Sequence, residues 1–153
     1  MKKTLAACGL IIAVTACSAE PTVEDPYADL ADATLLVRFE ANPDLETGQC
    51  NPNVHYALRT TEEFILLNAN YEVVDQNLTG SGVSLSNADG NGVATASAEL
   101  NMFEAYPMAC SELSVRAQDL KCRTEADDQT DICPSVVYEG TEMFASFRGL
   151  PDY

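Results

Sequence analysis

From Thr34 onward, apolar and polar side chains alternate along the chain. In Thr34–Glu40, Leu35, Val37 and Phe39 fall on one face, with Arg38 and Glu40 on the other. In 53–60, Val54, Tyr56 and Leu58 alternate with Asn53, His55 and Arg59. Val83 and Leu85 alternate across 82–86, and Ala94, Ala96, Ala98, Leu100 and Met102 share a face of 92–102. Leu113, Val115 and Ala117 do so in 112–120, after which the pattern slips to Leu120, the mark of a bulge. A last strand is predicted over 135–148, broken near Gly140, with Met143, Ala145 and Phe147 aligned. A period of two is the signature of half-buried strands.

The segment 63–74 is ambiguous. Thr60-Thr61-Glu62-Glu63 has the form of a helical capping box. Phe64 to Leu67 is short, however, and Asn68-Ala69-Asn70 is a turn signal, so the pattern predicts a strand, a turn and a second strand from Tyr71 to Val74. Turn clusters at Asn42-Pro43-Asp44, Asn51-Pro52-Asn53, Thr79-Gly80-Ser81-Gly82 and 87–92 separate the runs. About seven or eight short strands with frequent turns predict an all-β, antiparallel β-sandwich. At the level of class it resembles immunoglobulin-like and fibronectin III-like domains. The chain lacks tryptophan, and no Tyr-x-Cys corner is present, so the resemblance implies a fold and no function.

The first 33 residues follow a different pattern. Lys2 and Lys3 precede an uncharged run from Leu5 to Ala16, the layout of a helical secretory signal peptide. The run is shorter than the roughly 20 apolar residues that span a bilayer. Val14-Thr15-Ala16-Cys17 resembles a bacterial lipobox. That resemblance implies cleavage before Cys17, a diacylglyceryl group on its thiol, and acylation of the new amino terminus. Two or more acyl chains anchor stably where one does not. Ser18, where an Asp would resemble an inner-membrane retention signal, points to the outer membrane of a bacterial envelope. Residues 18–33 combine Pro21 and Pro26 with Glu20, Glu24, Asp25, Asp29 and Asp32, too polar to bury a core. They read as a disordered tether reaching roughly 50 Å when extended. The expected organisation is a signal peptide over 1–16, a lipidated tether over 17–33 and a β-sandwich over 34–153.

Charge narrows the partners. The chain carries 24 acidic and 8 basic side chains, for a net charge of −16. The signal holds two of those lysines and no acid, so the mature protein is more acidic still. This disfavours nucleic acid and anionic head groups. A cationic protein partner and a solvated acidic surface are both compatible with it.

Of the six cysteines, Cys8 leaves with the signal and Cys17 takes the lipid. The remaining Cys50, Cys110, Cys122 and Cys133 form an even set in an exported chain, which implies two disulfides. A zinc site lacks a C-x-x-C pair and has a single histidine to draw on. If 111–121 is one strand, Cys110 and Cys122 stand ~35–40 Å apart and cannot pair. A loop returning to the same end then favours Cys122–Cys133, with Cys50–Cys110.

Candidate chemistry is sparse. His55 lies on a polar strand face, and no G-x-S-x-G nucleophile motif accompanies it. Asn87, Asp89 and Asn91, followed by Gly92, partly resemble the start of an EF-hand loop, whose oxygens would hold Ca²⁺. Position 12 falls on Ala98, though, and a hairpin turn explains the same residues. No other cofactor is expected. Glu125, Asp127, Asp128 and Asp131 cluster in the 122–133 loop as candidate contacts for a cation or a basic protein. Asn77-Leu78-Thr79 matches a glycosylation sequon with little use in a bacterial lipoprotein. The sequence therefore predicts a non-enzymatic binding or structural module on a tether. The alternative is an inhibitor that docks its acidic loop on a cationic lysozyme or protease.

Overall fold

The computed structural model describes residues 26–60, 64–74, 78–85, 93–124 and 133–150. The expected signal peptide, Cys17, the expected turn at 87–91 and the acidic residues of 125–131 lie outside them.

Among the described residues, eight strands make the framework: β1 (Thr34–Glu40), β2 (Asn53–Arg59), β3 (Phe64–Val73), β4 (Leu78–Leu85), β5 (Val93–Glu99), β6 (Ser114–Thr124), β7 (Ser135–Glu139) and β8 (Ser146–Arg148). They form two four-stranded sheets, ordered β5-β2-β1-β7 and β4-β3-β6-β8. Leu35, Val37 and Phe39 of β1 and Val54, Tyr56 and Leu58 of β2 share one buried cluster with Ala69, Tyr71 and Val73 of β3 and Val115 of β6. The alternating faces thus meet between the sheets, as expected of an all-β, sandwich-like fold.

The sheets are mixed rather than antiparallel throughout. β7 pairs parallel with β1, and β8 pairs parallel with β6. The cause is the break at Gly140. The expected last strand divides there, and its halves join different sheets. Gly140 adopts φ 73°, and a 3-10 turn at Thr141–Met143 carries the chain across. A Cβ at Gly140 would collide with the carbonyl oxygen of Phe39 and lie 3.0 Å from its carbon. Past the crossing, Phe144 and Phe147 reach the Phe39 ring at 5.2 and 5.4 Å between centroids. The 3-10 turn also shifts the period, so Ala145 is exposed instead of lying inward with Phe147.

Asn68-Ala69-Asn70 does not turn. β3 runs unbroken, with a register shift between Ala69 and Tyr71 against β4 and between Asn70 and Tyr71 against β6. Asn70 meets the bulge of β6, and its amide donates to Asp119 Oδ1 at 2.6 Å. A side-chain amide that finds a partner across the sheet removes the reason to turn. The slip before Leu120 belongs to the same bulge: Ala117 and Asp119 pair with consecutive β3 residues, leaving Gln118 over. β5 stops at Glu99, short of the expected Met102.

Residues 26–33 of the expected tether touch the domain. Leu30 N–H donates to the Tyr27 carbonyl at 3.0 Å, closing a turn, and Arg59 Nη2 donates to the same carbonyl at 2.7 Å.

Burial pushes the phenols of Tyr56 and Tyr71 up, Tyr71 well above its ordinary value. An acid whose folded pKa is raised binds its proton more tightly in the folded state. The contribution of these phenols to stability is therefore flat below pH ~10 and falls above it, by up to ~1.4 kcal/mol per pH unit for each. The Tyr71 hydroxyl is buried beside that of Tyr56 and makes no hydrogen bond of full geometry among the described residues. Tyr71→Phe should hold or gain ~1 kcal/mol at pH 7 and flatten the alkaline fall. Urea titrations at pH 7 and above pH 10 check this; a loss of ~2 kcal/mol at pH 7 would reveal a partner for the hydroxyl.

Candidate functional site

The outer face of the first sheet carries a row of polar side chains in register. Ser97, His55, Arg38 and Glu139 stand opposite one another on β5, β2, β1 and β7. His55 Nδ1 lies 2.7 Å from Ser97 Oγ, and Nε2 lies 3.4 Å from Glu40 Oε2. Arg38 Nε donates to Glu139 Oε2 at 2.7 Å, and that bond raises the guanidinium pKa despite some desolvation. Sequence reasoning found His55 but missed Ser97, because the two are 42 residues apart and only strand register joins them.

Connected in this way, Ser97, His55 and Glu40 have the composition of a nucleophile relay. Hydrolysis also needs a concavity that holds substrate and donors for an oxyanion. A crevice among the described residues lies elsewhere, between Leu35, Tyr71, Asp119, Leu120, Tyr138 and Leu150. It is too narrow for a water molecule. On this exposed face the row bonds neighbouring strands together, each pair worth a few tenths of a kcal/mol to ~1 kcal/mol.

A second feature stands at the end of the same sheet. After Glu99 the chain enters a loop that exposes Met102 and Phe103 by 62% and 88%. Met102 had been expected to face inward with Leu100. Leu100 is fully buried, and the strand ends before the alternation reaches Met102.

The loop is held from below by two buried asparagines. Asn51 Nδ2 donates to Glu99 Oε2 and to the Asn101 carbonyl, each at 2.8 Å, and Asn51 Oδ1 accepts from Asn101 N–H at 2.8 Å. Asn101 Oδ1 in turn accepts from Phe103 N–H at 3.0 Å. Cys50 and Tyr106 exchange both backbone hydrogen bonds, at 3.0 and 2.8 Å. The far end is fixed by the Cys50–Cys110 disulfide, with Cα atoms 4.8 Å apart. Cys122–Cys133, at 5.5 Å, ties β6 of the opposite sheet to the segment that enters β7.

No family model, curated protein or solved structure matches this chain.

The residues singled out from sequence divide accordingly. The four cysteines are brought into two bridges. The calcium candidates Asn87, Asp89 and Asn91 and the acidic candidates Glu125, Asp127, Asp128 and Asp131 lie outside the described residues. Among the described residues, no group of three or more His, Cys, Asp or Glu is arranged to hold a metal ion. Met102 and Phe103 were missed as surface residues. The available signal was an apolar pair between Asn101 and Glu104, directly after a strand of alanines too small to anchor it.

Proposed function

We propose that this protein is a bacterial envelope lipoprotein, anchored through Cys17, that binds a protein partner and performs no catalysis. The observation that carries the reading is the Met102–Phe103 loop. It presents a large aromatic and a thioether to solvent on a backbone already fixed by buried hydrogen bonds and a disulfide. Aromatic anchors dominate many protein interfaces, and a preformed loop avoids the cost of ordering on binding. The anchor rests on the Lys2-Lys3 segment, the apolar run and Val14-Thr15-Ala16-Cys17, and Ser18 favours the outer membrane.

The sandwich itself fits an immunoglobulin-like plan with one departure. β1-β2-β5 and β3-β6 follow the order of strands A-B-E and C-F, and β4 beside β3 takes the place of C′. The departure is the last strand, which is split and pairs in parallel on both sheets.

Photo-crosslinking tests the reading. Phe103→p-benzoylphenylalanine in the full lipidated chain, irradiated in its own envelope, should give a discrete protein adduct. Val137, 45% exposed on the outer face of β7, is the control position. Equal, diffuse labelling from both sites would end the reading. Mass spectrometry of the mature N-terminus should find the acyl groups on Cys17; an unmodified cysteine would end the anchor.

A further inference from the structure

We infer that the Met102–Phe103 loop recognises a basic protein surface containing an apolar pocket, and neither the bilayer nor a second copy of this chain. The inference rests on the binding role proposed above and names the chemistry of the partner.

Strand register fixes where the loop stands. Glu40, Asn53 and Glu99 form the last row of the first sheet, and the loop leaves from Glu99. At the other end of the same strands, Arg59 pairs with Thr34 and holds the Tyr27 carbonyl, where the described chain enters. The six steps of β1 separate the two ends by roughly 20 Å. The loop and the entry of the chain therefore lie at opposite poles of the sheet.

The segments that meet at the loop's pole are rich in carboxylates. Glu40, Asp44, Glu46, Glu99 and Glu104 are all exposed there. Residues 39–58 and 93–115 contain no lysine or arginine. The nearest cations along the chain are already engaged, Arg38 by Glu139 and Arg116 by Glu72. His55, also on this face, is paired with Glu40 and Ser97.

An apolar tip at an acidic end of the sheet selects its occupant. The anionic surface of a bilayer attracts basic segments and repels this acidic end. A second copy would bring two acidic ends together, and like charges across an interface repel. A basic surface gains from the same carboxylates both in steering and in specificity, while its pocket desolvates Phe103 and Met102.

The crosslinked chain supplies the test. The protein joined at position 103 should be basic, identified by mass spectrometry. The adduct yield should fall at least about fivefold between about 0.02 and 0.5 M salt, because screening shortens the reach of the carboxylates. The charge reversals Glu46→Lys and Glu104→Lys together should lower it by a similar factor at low salt. Both side chains are exposed, so the fold is retained, which an unchanged urea midpoint verifies. An adduct to lipid, to a second copy, or to an acidic or neutral protein would overturn the inference. So would a yield indifferent to salt and charge reversal. Apart from the lipid adduct, which would end the binding role as well, each of these leaves a discrete protein crosslink at position 103 and so is distinguishable from failure of that role, which gives none above the Val137 control.

Discussion

Gly140→Ala is expected to destabilise the protein by about 3 kcal/mol or more, the largest loss from any single methyl group considered. Two costs combine. The backbone at φ 73° is left-handed, which costs an L side chain roughly 1–2 kcal/mol. The added Cβ would also strike the Phe39 carbonyl, a backbone atom in the interior strand of the first sheet, which cannot swing aside. Relief would require β1 to shift, disturbing the contacts of Phe39 with Tyr71, Phe144 and Phe147. Gly48 provides the comparison within the same molecule. It has φ 89° with nothing within 4 Å of a built Cβ, so Gly48→Ala should cost only the backbone term, about 1–2 kcal/mol. Urea denaturation of both variants separates the two costs. Equal losses at the two positions would show that the sheet-to-sheet crossing tolerates a side chain, and the account of the split last strand would fail.

The second large effect concerns the disulfides, which should be unequal. Cys50–Cys110 joins residues 60 apart in sequence, whereas Cys122–Cys133 joins residues 11 apart. Constraint of the unfolded chain alone gives about 4 kcal/mol for the first and about 3 kcal/mol for the second. Cys50 is also fully buried and pairs with Tyr106 under the Met102–Phe103 loop. Replacing Cys50 and Cys110 by alanine should therefore cost more than replacing Cys122 and Cys133, and should weaken crosslinking through position 103 as well. Urea midpoints measure the first effect and adduct yield the second. A reversed order of stability would mean that residual structure in the unfolded chain, rather than loop length, sets the contribution.

Much of the architecture was legible in the sequence because strand burial has a short period. Leu35, Val37 and Phe39, or Val54, Tyr56 and Leu58, declare an inward face without knowledge of their partners, and each is buried. Cysteine pairing was accessible for a related reason. A strand is stiff and of known rise, so its two ends exclude one another as partners. The signal run, the small residues before Cys17 and the acidic balance are likewise properties of consecutive residues or of composition. They need no fold to be read.

The tertiary structure decided what depends on residues far apart in the chain. It turned Asn68-Ala69-Asn70 from a turn into a bulged strand, because Asp119 offered Asn70 a partner that the local sequence does not show. It divided the last strand between two sheets, because the Phe39 carbonyl leaves room for a glycine at 140 and for nothing larger. It set Ser97 beside His55, and it ended β5 early enough to turn Met102 and Phe103 outward over the Asn51–Asn101 pair. Periodicity assigns a side chain to a face only while the strand lasts. Where the strand stops is fixed by hydrogen bonds from Asn51, some 50 residues away, and the exposed aromatic tip exists only because of them.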